Sequence, residues 1–314
     1  MLDLRRLHIL HEFAVHGTIA ATANALGYTP SAISQQLAAL EREVGTQLLD
    51  RTARSAELTD AGRLLLGHAE QILAMVEAAE SVLAAQTGAP QGRVTLTAFP
   101  TAAVAFAPSL ARELRTYEGL QLVLRQTTHG SGARQVQTAE VDISLVDHWS
   151  ERAPDDAAGT LRYFLLLHDP LVLAVPEGHR LADPSIPVDF AELLDESWVT
   201  APVGEPSRSA IDRLLGDVGG SPGAVWEFEG IGTIMSLVAR GLGIAAVPAL
   251  AFSSSYPGLV HRRIPNAPVR RIYALARATS VPRPAIDVTL RALRKAAQDI
   301  INVLNTERGE ALVY

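Results

Sequence analysis

The chain has no cysteine among its 314 residues. That absence excludes disulfides, thiolate zinc sites, thiol nucleophiles and cysteine redox sensing. Lysine is nearly missing: Lys295 is the only one, and the other basic side chains are arginines. No uninterrupted apolar run approaches the roughly 20 residues that span a bilayer. The first 16 residues mix charge and apolar side chains at helical spacing, unlike a signal peptide. The expectation is a cytoplasmic protein with no membrane contact.

Excess positive charge is missing as well. The net charge is −7, a poor global match to nucleic acid. Residues 1–62 hold Arg5, Arg6, Arg42, Arg51 and Arg54 against Asp3, Glu12, Glu41, Glu43, Asp50, Glu57 and Asp60. Phosphate contact in this segment must therefore come from a few placed arginines and from helix N-termini. Apolar residues are 48% and charged residues 19% of the chain, which suits packed domains, and the length suits two or three of them.

Leu4, Leu7, Leu10 and Ala14 recur at helical spacing and predict a helix over Leu4–Val15. Gly17 stops it. Thr18 caps a second helix, Ile19–Leu26, rich in alanine. After the Gly27-Tyr28 turn, Thr29 and Pro30 open a third helix that runs to Val44, with Gly45 ending it. Two helices joined by a short glycine-containing turn are the mark of a helix-turn-helix. Ile33, Leu37, Leu40 and Val44 share the inward face of the third helix. Ser31, Gln35, Ala38 and Arg42 face outward, with Ser34 on the flank. Short hydroxyl and amide side chains suit a major groove, but an ordinary three-helix core with a polar surface has the same spacing. Leu48 and Leu58 flank a polar stretch of hairpin length, a candidate wing whose Arg51 and Arg54 would reach phosphate or the minor groove.

The segment from Thr18 to Gly62 resembles the DNA-binding domain of the LysR-type transcriptional regulators. The resemblance is carried by Ala20-Ala21, Pro30-Ser31-Ala32-Ile33-Ser34, Leu40-Glu41, Gly45, Leu48-Leu49 before Arg51, and Leu58-Thr59-x-Ala61-Gly62. It implies double-stranded DNA as partner. It places Thr29, Pro30, Ser31, Ser34 and Gln35 on the recognition helix and Arg51 and Arg54 in the wing. The family often has arginine where this chain has Gln35, which leaves base preference there open.

From Ala61 to Gln86 the residues Leu65, Ala69, Ile72, Val76, Ala79 and Leu83 step by four and three, a heptad seam on a helix about 37 Å long. Such a seam predicts a partner helix, and the resembling family dimerises through this element; packing on its own chain is the competing reading. Residues 87–92 read as a hinge.

Beyond it, strand-like and helical runs alternate in a βαβαβ order through Val146, implying parallel strands covered by helices. Continuing runs include Tyr163–Leu167, Leu171–Val175, Val225–Phe228, Ile244–Val247, Arg271–Ala276 and a final helix over Ala285–Leu304. Gly92-Arg93-Val94-Thr95-Leu96, Val141-Asp142-Ile143, Leu171–Pro176 with Gly178-His179, and Leu237–Pro248 resemble the effector-binding domain of the same family, which is like type 2 periplasmic binding proteins. The fold expected is therefore α/β with an N-terminal all-α winged helix-turn-helix (1–60), a linker helix (61–86) and an effector-binding domain (93–304). The last comprises subdomain I, 93–166 plus 269–304, and subdomain II, 167–268; residues 305–314 form a loose tail.

The resemblance implies a small-molecule effector between the subdomains, at strand ends and helix N-termini that favour anions or carbonyls. Candidates are Pro100, Thr101, Thr127, Thr128, His129, Asp147 and His148 on one side, and Thr200, Ala201, Pro202, Gly230, Ile231 and Thr233 on the other. It also implies a homodimer or homotetramer and contact with RNA polymerase. No cofactor, metal or catalysis is expected. His8, His11 and Glu12 have spacing a metal could use but read as helix polarity. Asp147-His148 has no accompanying nucleophile motif, His179 reads as a turn residue, and the glycine pairs at 230–232 and 241–243 fall short of phosphate-binding patterns. Two functions remain: a ligand-responsive regulator, or a small-molecule-binding protein or enzyme with a helical dimerisation domain.

Overall fold

A computed structural model describes residues 2–51, 56–85, 90–127, 130–150, 154, 159–217, 219–220 and 225–306. Helix α1 (Leu4–His16) is capped by Asp3, whose carboxylate accepts the Arg5 N–H at 2.8 Å. Thr18 Oγ1 caps α2 (Ile19–Leu26) through the Ala21 N–H at 3.1 Å. Gly27 then turns the chain at φ 70°, a left-handed conformation that glycine adopts without strain. Thr29 Oγ1 accepts the Ala32 N–H at 3.3 Å, and Pro30 takes the first position of α3 (Pro30–Val44).

These helices bury Leu7, Leu10, Phe13, Ala23, Ile33, Leu37 and Leu40 in one core. Each large aliphatic side chain contributes about 1.5–3 kcal/mol on burial. That packing is decisive for α2, whose eight residues are too few for a helix stable alone. Glu41 explains its place after Leu40: its Oε1 accepts the N–H groups of Leu48 and Leu49 at 2.9 and 3.0 Å. It thereby holds β1 (Leu49–Arg51), which pairs antiparallel with β2 (Ala56–Leu58). The wing residues 52–55, including Arg54, lie outside the described residues.

Helix α4 (Asp60–Ala85) has 26 residues. Here the structure divides the heptad seam. Ala69 is fully buried in the helix-turn-helix core, and Leu65 and Ile72 pack against it. The first half of the seam is thus filled by the chain's own α1 side, because a short three-helix domain needs a fourth wall. Leu64, Met75 and Leu83 are left exposed along the helix.

The effector domain begins with β3 (Gly92–Ala98), α5 (Pro100–Leu114), β4 (Leu120–Gln126), α6 (Gly132–Gln137) and β5 (Ile143–His148). β3 is parallel to both β4 and β5. Beside β5, and antiparallel to it, lies β11 (Val269–Arg277). Helix α9 (Pro284–Thr306) packs Ile286, Leu290, Leu293 and Ala297 into the core that α5 and this sheet share. α9 continues through Thr306, so the first two residues of the expected tail are helical.

The sequence pattern predicts two separate strands over residues 163–175, but one forms: β6 (Leu161–Pro176). Up to Pro170 it pairs with β11; from Leu171 it pairs with β9 (Ala245–Pro248) and β10 (Leu259–Arg263). The chain therefore crosses between sheets at Pro170–Leu171, not between Leu166 and Leu167, since Leu166 and Leu167 still pack in the first core. The second subdomain adds β7 (Trp198–Thr200) parallel to β8 (Val225–Glu227), with α7 (Pro206–Gly216) and α8 (Ile231–Ala239). Trp198 is completely buried and donates its indole N–H to the Leu193 carbonyl at 2.9 Å.

Candidate functional site

The N-terminal edge of α3 points away from its own core. Thr29, Pro30, Ser31 and Gln35 are exposed and Ser34 is half-buried. The Thr29 hydroxyl is engaged as the helix cap and lies 3.1 Å from Ser31 Oγ. The neighbouring Gln36 is exposed as well, but its Oε1 accepts from Arg6 at 3.1 Å, and Arg6 also pairs with Glu43. Ser31 and Gln35 are the exposed polar side chains of the first two turns that Arg6 does not engage. No acid falls between residues 29 and 40. Asp3, Glu41 and Glu43, which counted against DNA in the composition, serve as cap, wing anchor and interhelical pair. The edge is neutral and sits on a positive helix end. Arg51 is the last residue of β1, across from Ala56.

On α1 the donor atoms of His8, His11 and Glu12 come within 4.8 Å of one another. Glu12 is shared, however, with His11 Nδ1 and His16 Nε2 each 3.3 Å away. An internal carboxylate–imidazole cluster accounts for the arrangement.

A cleft of about 660 Å³ opens between the two subdomains. Pro100 and Thr101 at the start of α5, Thr127 after β4 and Asp147 in β5 line one wall; Ala201, Pro202, Gly230 and Ile231 line the other. Other candidates are placed elsewhere. His148 faces an adjoining cavity of about 300 Å³. Thr200 is buried behind the wall, where its hydroxyl accepts from Arg208 at 3.0 Å. Thr233 is exposed but does not line the cleft, because Ile231, Gly232 and Ile234 occupy the helix face that does. Thr128 and His129 lie outside the described residues.

Beneath Thr101 and Asp147, the cleft floor holds two residues that were not sequence candidates, Arg270 and Asp169. Arg270 in β11 is buried, and its Nε donates to Asp169 Oδ2 at 2.8 Å. Its other nitrogens reach Asp147 Oδ2 at 3.4 Å and Thr101 Oγ1 at 3.0 Å. The guanidinium carbon stands 4.9 Å from the centre of the Phe99 ring. Asp169 in turn accepts the Leu250 N–H at 2.8 Å, and Asp147 accepts the Trp149 indole N–H at 3.2 Å. One guanidinium therefore ties β5, β6, β11 and the start of α5 together directly beneath the cleft. Thr127 belongs to a second network: its hydroxyl lies 2.6 Å from Ser131 Oγ and donates to Gln135 at 3.1 Å. On the far wall, Arg208 holds the end of β7 through Thr200 and the Ala201 carbonyl, and pairs with Glu227 and Asp212 at 2.8 Å each. The only sequence signal for the floor was a pair of arginines, Arg270-Arg271, in a strand, with nothing to name their partners.

Residues 4–63 match the family model described as the bacterial regulatory helix-turn-helix protein, lysR family, and residues 87–298 match the LysR substrate binding domain. The chain is 30% identical over 253 residues to the transcriptional regulator IlvR of Caulobacter vibrioides, covering 79% of this chain and 83% of that protein. A full-length OxyR variant from Pseudomonas aeruginosa has the same fold, with TM-score 0.71 and 21% identity over 94% of this chain and 98% of that one. So has full-length CbnR complexed with its target DNA, with TM-score 0.67 and 21% identity over 94% of this chain and all of that one. Among the described residues, no helix is long and apolar enough to cross a membrane. Two family models, end to end, cover both halves of the molecule, and the chain belongs to the LysR family of DNA-binding transcriptional regulators with an effector-binding domain.

Proposed function

We propose that this regulator reads its operator with the N-terminal edge of α3, Thr29, Pro30, Ser31, Ser34 and Gln35. Arg51 and Arg54 of the wing add phosphate or minor-groove contacts. The observation that carries this reading is the outward, acid-free edge of α3, with Ser31 and Gln35 exposed. Thr29 and Pro30 act by setting the start of the helix; Ser31, Ser34 and Gln35 act by hydrogen bonds to base edges. The protein works as a homodimer or homotetramer in the cytoplasm and meets RNA polymerase at the promoter.

The effector occupies the inter-subdomain cleft, against Pro100, Thr101, Thr127, Asp147, Ala201, Pro202, Gly230 and Ile231. A ligand that prefers one closure angle shifts the population of dimer arrangements and hence the spacing of the two recognition helices.

A gel shift on the intergenic DNA upstream of the chain's own gene tests the DNA-reading part. Ser31→Ala with Gln35→Ala should abolish sequence-specific retardation and leave weak, salt-sensitive binding to random DNA. Arg51→Ala should weaken specific and random DNA alike. Full sequence-specific retardation by the Ser31/Gln35 double variant removes this edge from recognition.

A further inference from the structure

The charges around the cleft point to the kind of molecule it takes, given that the cleft is the effector site as proposed above. Among the described lining residues the charged side chains are Asp147, Glu205, Glu229 and Arg270. Arg270 is not available to a ligand carboxylate. It is buried and engaged by Asp169 and Asp147, with its remaining nitrogen donating to Thr101. Glu205 and Glu229 are different: both are exposed, and neither has an ion-pair partner among the described residues. The cleft therefore has a surplus of negative charge and a cation already consumed.

Helix N-termini do not reverse this balance on the second wall. Glu205 is the N-cap residue of α7, and Glu229 directly precedes Gly230, the N-cap of α8. Neither carboxylate makes a capping hydrogen bond, but each adds negative charge at the start of its helix, where an anion would otherwise be drawn. An incoming carboxylate or phosphate would meet like charge there. A protonated amine would meet opposite charge, together with the half-buried rings of Trp149 and Tyr256, whose faces also favour cations.

We infer that the effector of this regulator carries a protonated amine, held by Glu205 and Glu229 beside the rings of Trp149 and Tyr256. The two exposed acids stand on one wall, so a cation that also touches the facing wall bridges the subdomains and favours closure, which couples binding to the population shift.

Calorimetric titration of the full chain with matched probes tests the sign of the charge. The probes are phenethylamine against 3-phenylpropionate, and putrescine against succinate. At least one amine should bind at millimolar concentrations or below, more weakly as salt rises, and neither acid should. Glu205→Gln with Glu229→Gln should weaken the amine about tenfold, the sum of two partly exposed ionic contacts. Gly232 lines the cleft and has open space beyond its Cβ position, so Gly232→Trp fills the site without an internal clash. It should abolish amine binding while the thermal melt stays unchanged. Acids that bind in place of amines, gain from the double glutamine variant and are lost in Gly232→Trp overturn the amine inference but leave the cleft as the site. Binding of either class that ignores Gly232→Trp removes the cleft itself. Failure of both amines to bind the wild-type chain overturns the inference.

Discussion

Arg270 and Asp169 are both almost fully buried, with side chains 5% and 1% exposed. Such a pair adds little over an apolar replacement of the same shape, but breaking it strands a charge away from water. Arg270→Met should therefore cost about 3–5 kcal/mol, read as a lowered urea midpoint with unchanged slope. Asp142 poses the same problem at the other end of the sheet. It accepts the Thr95 N–H at 2.9 Å and Arg283 at 2.9 Å, and Arg277 stands 3.7 Å away. Arg283 is 2% exposed, and its Nε and second terminal nitrogen have no hydrogen-bond partner among the described residues, so Asp142 is its main compensation there. Asp142→Asn should lower stability by about 3 kcal/mol, as expected when a buried charge loses its partner. A loss below about 1 kcal/mol in either variant would mean that water reaches the charge left unpaired. Neither cluster was readable from the chain. Arg270 meets Thr101, Asp147 and Asp169 only after folding, whereas Pro100, Thr127, Ala201 and Gly230 were readable because strand ends and helix starts are local patterns.

At the scale of elements, the recognition helix was legible down to its cap, because Thr29-Pro30 and Gly45 are chemical start and stop signals and Ile33, Leu37 and Leu40 repeat with the helix. The linker helix was legible in extent, but what covers its apolar seam was not. Steps of four and three mark an apolar stripe without saying who covers it, and Ala69 is covered by its own domain. The junction of α4 with the wing is tight. A Cβ on Gly62 would stand 2.2 Å from the Leu48 carbonyl oxygen, a backbone atom with little room to yield. Gly62→Ala should cost about 1–3 kcal/mol through overpacking and should raise amide exchange in residues 48–51 before the effector domain responds. Further along the same helix, burial raises the Glu70 pKa above 4.5; His11 opposes the rise and Glu140 adds to it. The folded state thus holds the Glu70 proton more tightly than the unfolded chain. Its contribution favours folding at acid pH and is lost as pH rises from 4.5 through the higher folded value. Glu70→Gln should leave stability nearly unchanged at about pH 4 and raise it at about pH 7, by less than about 1 kcal/mol for a half-buried group. A larger gain at the acid end would reverse the assignment.

At the scale of the whole molecule, two sheets joined by β6 and the return into β11 form a hinge pair, and the Arg270 cluster sits beneath the cleft they border. The parallel order of β3, β4 and β5 followed from alternating strand and helix patterns. The continuity of β6 did not, because Pro170 looks like a strand end in sequence but occupies the crossing between sheets. What remains to be covered is the outer stripe of α4. Leu64, Met75 and Leu83 are 68%, 72% and 65% exposed, and large apolar side chains spaced along one helix are costly to leave in water. The part of the helix that packs on its own domain ends near Ile72, so Met75 and Leu83 lie beyond the helix-turn-helix core. Neither side chain belongs to the helix-turn-helix core or lines the cleft. If the proposed oligomer pairs through this stripe, Met75→Asp with Leu83→Asp should give monomers in sedimentation velocity, while melting of the effector domain is retained. Since two recognition helices must be held at fixed separation to bind successive major grooves, the same variant should bind a single half-site as before and lose the affinity gained from a paired site. Retention of the oligomer in this variant would assign subunit pairing to the effector domain and leave the linker helix a spacer.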